Sequence, residues 1–192
     1  MEPFEEGQSV WFRNINRGKQ SVVLDLKQKD NLQKLYRLVE ESDIFVEAFR
    51  PGVANRLEID YETLSAINPR IIYCSISAFG QDGPLAHHPA HDLAVEAFAG
   101  FMSVNDKGDG EPVVPAFPAA DASASLVALS GILMALIGQE RTGIGDYLDI
   151  AMYDSLLPWW GHFAGPALAH GEAVHSSTQR SLGGSAFYNV YK

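Results

Sequence analysis

Between residues 21 and 76, short apolar runs alternate with segments whose apolar residues return every three or four positions. Strands alternating with amphipathic helices write that pattern. Ser21-Val22-Val23-Leu24-Asp25-Leu26 predicts a strand, rich in β-branched residues and bounded by polar ones. Residues 31–41 predict a helix with Leu32, Leu35, Tyr36, Leu38 and Val39 at helical spacing, and Asp30 is placed to cap it. Ile44-Phe45-Val46 predicts a second strand. Arg50-Pro51-Gly52 predicts a turn that opens a short helix through Arg56. Another helix starts at Asp60 and stops at Asn68-Pro69, because a proline disfavours helical backbone in the residue before it. Ile71 to Ile76, apolar on both faces, predicts the third strand. Three such strands imply a parallel sheet covered on both sides, with ligands bound in loops beyond the strands' carboxyl ends. Those loops are residues 47–52 and 77–91, both rich in polar residues and turn formers.

After Gly110 the pattern changes. Ala122 to Gln139 is apolar almost all round, which predicts a helix buried in a core. Arg141-Thr142-Gly143-Ile144-Gly145 ends it with basic and glycine signals. Tyr147 to Ala151 predicts a strand, and Asp154 to Ala169 a second apolar helix broken near its start by Pro158. Leu182-Gly183-Gly184-Ser185 predicts a glycine turn leading into a strand over Phe187 to Tyr191. The chain starts on a loop and ends on that strand, so an α/β domain incomplete at both ends is expected, a fragment that completes its sheet with further segments or a partner.

Composition narrows the function classes. Of 192 residues, 46% are hydrophobic and 20% charged, an ordinary globular balance. The formal net charge of −10 disfavours nucleic acid and anionic membranes as partners. A few Arg and Lys can still build a local basic pocket for a phosphorylated small molecule. The single cysteine, Cys74, excludes an internal disulfide and a Cys-rich metal site, and its apolar run suits a small core residue better than a reactive thiol. Met1-Glu2-Pro3-Phe4-Glu5-Glu6 lacks the basic start of a signal peptide, and the apolar stretch Leu126 to Ile137 is too short for a bilayer. A cytoplasmic protein without a membrane partner is expected.

No dinucleotide fingerprint, nucleophile elbow or metal-ligand cluster is present, and adjacent His87 and His88 sit in a loop where solvent exposure is the expectation. Asp121 is the informative carboxylate. Small residues surround it, Pro118-Ala119-Ala120 before and Ala122-Ser123-Ala124-Ser125 after, leaving room for a ligand's close approach. Two roles are compatible here. Aspartate is a preferred N-cap, and a helix N-terminus favours the ionised form that a carboxylate nucleophile needs.

Four segments, in order, then carry a resemblance to the class III CoA-transferases, the carnitine and bile-acid CoA-transferase family. They are Asn16 to Leu26, Val46-Glu47-Ala48-Phe49-Arg50-Pro51-Gly52, Tyr73 to Pro84, and Glu140 to Ile150. The resemblance covers nearly the whole chain. It implies a Rossmann-like parallel sheet flanked by helices, the large domain of such an enzyme, incomplete at both ends and followed by long buried helices. Residues 21–76 would form its β/α CoA-binding part, 121–170 the buried helices, and 181–192 a glycine loop and the start of the next segment.

The resemblance also implies chemistry: CoA moves between an acyl-CoA thioester and a free carboxylic acid through an aspartyl mixed anhydride. Asp121 would be the catalytic residue, with coenzyme A as substrate and no metal. Lys19, Phe49, Arg50 and Arg56 match positions that contact CoA, and Gly183-Gly184 matches a mobile loop over the site. An interlocked homodimer is implied as well. Two departures stand out. Ala48 replaces an asparagine of many relatives, and His91-Asp92 stands where many transferases carry Tyr-Asp. A His-Asp pair there resembles the α-methylacyl-CoA racemases of the same superfamily, in which His91 and Asp121 would exchange the α-proton. The small residues around Asp121 favour transfer. An inactive CoA-binding fragment is the remaining alternative.

Overall fold

The computed structural model describes residues 3–106, 110–171, 174–179, 182 and 184–191. The chain divides into two compact units, Met1–Leu35 and Tyr36–Lys192.

In the first unit β1 (Phe4–Glu5) and β2 (Gln8–Ser9) form an antiparallel hairpin. Glu6 and Gly7 between them both take positive φ, 51° and 78°, as a two-residue hairpin loop requires. Helix α1 (Val10–Ile15) follows, capped by Ser9, whose Oγ accepts from Phe12 N–H at 3.3 Å. The strand predicted over Ser21–Leu26 does not form: Val22 and Val23 are 65% and 93% exposed. β-branched residues favour extended backbone, but a strand needs a ladder partner, and this segment pairs with no described strand. Helix α2 (Lys29–Glu40) starts earlier than predicted, so Asp30 lies in its first turn and not at its cap. The unit boundary falls within α2.

The second unit is built on a three-stranded parallel sheet, β3 (Ile44–Glu47), β4 (Ile72–Ser77) and β5 (Tyr147–Ala151), in the order β3-β4-β5. Two of the predicted early strands are therefore present, and the third place belongs to β5. Helices α3 (Val53–Arg56) and α4 (Tyr61–Ile67) connect β3 to β4. Asp60 caps α4 through Thr63 N–H at 3.1 Å, and Asn68 ends it. The Asn68 amide donates to the carbonyls of Val39 and Ser42 at 3.0 and 2.9 Å, tying the end of α2 to the turn before β4.

Strand alternation gives the sheet two different faces. On one, Cys74, Ile76, Leu148 and Ile150 pack against Ala124 and Ala128 of α6 (Ala119–Thr142). Cys74 is fully buried, and burial pushes its thiol up to about 11, so the thiolate is scarce at neutral pH. On the other face lie two rows in register. Phe45, Tyr73 and Tyr147 make an aromatic row, with Tyr61 of α4 5.3 Å from Tyr147. Toward the carboxyl ends, Glu47, Ser75 and Asp149 make a polar row.

Helix α6 is longer and less buried than its sequence predicts. Its small residues meet the sheet, while Leu126, Leu129, Leu133, Met134 and Ile137 are exposed, with Met134 70% exposed. All-round apolarity here marks two contact faces, of which the described residues cover one. At 24 residues the helix is also long and apolar enough to cross a membrane by length and composition, as the run Leu126–Ile137 alone was not. A core helix of a soluble protein passes the same test. Gly143 ends α6 at φ 75°.

Pro158 breaks the last apolar segment into α7 (Met152–Leu156), a 3₁₀ turn over Leu157–Trp160, and α8 (Gly161–His170). The strand predicted over Phe187–Tyr191 is a turn with one isolated bridge, Ser185 to Tyr188, and Phe187 is fully exposed. Among the described residues no strand pairs with this segment, so its aromatics have no sheet to join.

Candidate active site

A cavity of about 640 Å³ opens at the carboxyl ends of β3 and β4. Its wall comes mainly from three regions: the segment after β3 through α3, the end of β4 with the loop after it, and the first turns of α6. Phe49, Arg50 and Arg56 line it from the first, His87, His88 and His91 from the second, and Asp121 and Ser125 from the third. Two arginines and three histidines thus face one carboxylate, on a chain whose net charge is −10.

The loop after β3 is held from beneath. Glu47, 7% exposed, accepts the Phe49 N–H at 2.6 Å through Oε2 and the Ser75 hydroxyl through Oε1. Gln81 donates from Nε2 to Ser75 Oγ at 2.7 Å and from its backbone N–H to Asp149 Oδ2 at 2.9 Å. A single network across all three strands therefore fixes both loops of the cavity wall. Gly52 takes φ 78°, and a Cβ there would lie 3.4 Å from Arg56 Nη1, so the turn that starts α3 also seats Arg56.

Asp121 is not the N-cap of α6. Pro118 occupies that position, and Asp121 is the third residue of the helix. The capping comes from α5 (Asp92–Phe98), whose Asp92 and Glu96 stand four residues apart on one face. Asp92 Oδ1 accepts the N–H groups of Ala120 and Asp121 at 2.9 and 3.0 Å, and Glu96 Oε1 accepts that of Ala119 at 2.8 Å. The open donors of a helix start are satisfied from another helix. The Asp121 carboxylate is left free of capping and exposed to the cavity. Burial raises its pKa, the charge of Asp92 adds to the rise, and His91 opposes it. Glu96 is fully buried, and its pKa is raised first by burial and then by Asp92, against the Ala119 N–H that favours its ionised form.

Of the residues singled out in the sequence, Asp121, His91, Phe49, Arg50 and Arg56 meet at this cavity. Lys19 belongs to the first unit, where its Nζ donates to Asn16 Oδ1 at 3.0 Å. Gly183 lies outside the described residues. The Gly184 N–H is engaged, donating to the Gln179 carbonyl at 3.0 Å. Sequence reasoning missed Asp92 and Glu96 as the cap of α6, and Glu47, Ser75 and Asp149 as the row beneath the loops. The Asp-x-x-x-Glu spacing was the one available signal for the first pair. His87 and His88 are exposed as expected, but on the cavity wall.

The chain has counterparts in sequence and fold among known proteins. The chain is 42% identical over 161 residues to an acetyl-CoA:oxalate CoA-transferase of Acetobacter aceti, covering 83% of this chain and 41% of that protein. It is 37% identical over 146 residues to a succinate–glutarate CoA-transferase of Agrobacterium fabrum, covering 76% and 36%. The crystal structure of a CAIB/BAIF family protein from Brucella suis matches with a TM-score of 0.83 at 34% identity, over 89% of this chain and 46% of that one. The chain thus spans about two-fifths of the length of the curated relatives it matches. CoA-transferase family III matches it from residue 1 to residue 192. This chain belongs to CoA-transferase family III.

Proposed function

We propose that the protein transfers CoA between an acyl-CoA thioester and a free carboxylic acid, with Asp121 as the nucleophile. The observation that carries this reading is the Asp121 carboxylate, spared from capping by Asp92 and facing a cavity lined by arginines and histidines. In the first step an Asp121 carboxylate oxygen attacks the thioester carbonyl carbon. The C–S bond breaks, CoA leaves as thiolate, and an aspartyl mixed anhydride remains. The thiolate then attacks the aspartyl carbonyl and releases the first acid. The acceptor carboxylate attacks the resulting aspartyl thioester, expelling the thiolate once more. Attack of that thiolate on the new acyl carbonyl yields the new thioester and restores Asp121. The named CoA-transferase relatives support the reading. Since the Gly184 N–H already has a partner, the oxyanion donors need another source or a moved loop.

Arg50 and Arg56 supply the cations that CoA phosphates need, and Phe49, 42% exposed, offers a ring face for the adenine. Replacing Arg56 by Ala should weaken CoA binding roughly 10–100-fold, the contribution of a hydrogen bond to a charged group. The fold should be intact, because Arg56 is exposed. Calorimetric titration with CoA checks this, and unchanged affinity returns Arg56 to the class of solvated surface charges.

Racemisation is the second reading, favoured by His91, which lines the same cavity and acts electrostatically on Asp121. The two carboxyl-cavity residues would then serve as base and acid on opposite sides of an α-carbon. One assay separates the readings: the full-length protein is given acyl-CoA donors and free acids in deuterated water. Movement of CoA between acids supports transfer. Deuterium uptake at the α-carbon with no CoA exchange overturns it. The exposed face of α6 fits the interlocked homodimer that the resemblance implies, and size measurement in solution tests that part.

A further inference from the structure

Glu96 is buried completely, 0% exposed, where α5 meets the start of α6. Its two oxygens meet different surroundings. Oε1 accepts the Ala119 N–H at 2.8 Å, whereas Oε2 is sealed from solvent and no described residue donates to it. The packing at this contact is apolar: Val95, Ala99, Ala119, Ala120 and Leu156 form one core cluster. The titratable groups on the packed elements are Asp92 on α5 itself, Asp121 on α6 and Tyr153 on α7. An ionised Glu96 would leave one charged oxygen buried without a donor, a costly arrangement.

The residue one helical turn before it is another acid. Asp92 acts on Glu96 through its charge and through a side-chain hydrogen bond. Two carboxylate oxygens can bond to each other only when one of them carries a proton. Asp92 is partly buried, and its Oδ1 already receives the N–H groups of Ala120 and Asp121, which suits the charged member of a pair. Glu96, fully buried and with an oxygen that receives no donor, suits the protonated one.

Resting on the nucleophile role of Asp121 above, we propose that Glu96 is a positioning residue whose protonated Oε2 donates to Asp92 while Oε1 holds Ala119. The two acids thereby clamp the first turn of α6 with one negative charge instead of two. The difference matters at Asp121, whose backbone N–H is held by Asp92 and whose carboxyl already feels the Asp92 charge. A second buried charge would raise that carboxyl further and thin out the ionised nucleophile. A neutral Glu96 supplies the grip without the repulsion. It does not line the cavity, so it acts through Asp92 and Ala119 and not on substrate.

The test uses two variants of the full-length protein. Infrared difference spectra at neutral pH, unmodified protein against Glu96→Gln, should show the C=O band of a protonated carboxyl, displaced in deuterated water. Absence of that band means an ionised Glu96 and overturns the proposal. Glu96→Leu keeps the bulk but neither accepts from Ala119 nor donates to Asp92. Its kcat for CoA transfer should fall roughly 10–100-fold, the scale of a slightly displaced reacting group, with KM for acyl-CoA nearly unchanged. Glu96→Gln, whose amide still accepts and donates, should recover most of that loss and keep the acid limb of kcat/KM in place. An undiminished kcat in Glu96→Leu denies the positioning role. An acid limb moved to lower pH in Glu96→Gln reveals a charge at this position, and either result overturns the proposal. Should Glu96→Leu not fold, the infrared band and the Glu96→Gln profile decide. If the unmodified protein moves no CoA, the transfer reading fails and the positioning role with it, while the band still reports the shared proton.

Discussion

Asp121→Asn should lower CoA transfer by about 10³-fold or more, the scale seen when an enzyme loses its nucleophile. Stability at neutral pH should not fall. Among the described residues no hydrogen bond to the Asp121 carboxylate holds the fold together, and Asp92 and Glu96 do the capping. The raised pKa gives the sign. Stability contributed by the protonated carboxyl is present below its unfolded pKa and is lost as pH rises through the folded one. At neutral pH the native aspartate is thus the charged, less favoured form, and a neutral isostere avoids that cost. The same shift moves the acid limb of kcat/KM upward from where an unperturbed aspartate would put it, activity falling as pH drops through the raised pKa. His91→Ala is the partner measurement. A transferase should keep transfer within about tenfold, whereas loss of a racemase's acid–base group costs roughly 10²–10⁴-fold in α-proton exchange. Wild-type-like transfer by Asp121→Asn would remove Asp121 from the mechanism.

Gly145→Ala should be the most destabilising single-methyl change in the second unit. A Cβ at Gly145 would lie 1.9 Å from the Ile71 carbonyl oxygen and 2.5 Å from its carbon. These are backbone atoms, so no side chain can rotate away. Gly145 also donates its N–H to the Pro69 carbonyl at 2.9 Å, and Asp146 accepts from Tyr73 N–H at 2.8 Å. The entry to β5 is therefore pressed directly against the start of β4. Relieving the clash means pulling two strands apart where their pairing begins, at about 3–5 kcal/mol, near the upper end for point changes. For a chain of this size that lowers the unfolding midpoint by roughly 6–20 °C. Gly138→Ala is the control. It lies in α6 with nothing within 4 Å of the new methyl, and alanine favours helix by about 1 kcal/mol over glycine. A Gly145→Ala midpoint matching that of Gly138→Ala would show that β5 can shift at its edge without cost.

The same clash explains part of what could be read beforehand. Arg141-Thr142-Gly143-Ile144-Gly145 reads as a helix stop, and Gly143 is one, in the left-handed region. Gly145 has an ordinary φ and exists for close approach to another strand, which no local signal states.

By itself the sequence determined many of the features whose cause is local. Hydrophobic periodicity placed β3, β4, β5 and α6, because the side-chain periods of strand and helix are properties of the backbone alone. Asp60 and Asn68-Pro69 bounded α4, since caps and prolines act within a few residues. The motif order identified the family, and with it the cavity residues Phe49, Arg50, Arg56, His91 and Asp121. Features that depend on partners distant in sequence were decided only by the tertiary structure. Ser21–Leu26 has strand propensity and no ladder, so it stays unpaired. Asp121 has an N-cap's composition around it, yet Asp92, 29 residues earlier, takes the donors first. Glu47, Ser75 and Asp149 become one polar row only when three strands align in register. In each case a polar group's role follows from which donors and acceptors the fold brings within about 3 Å of it, a distance that sequence separation does not encode.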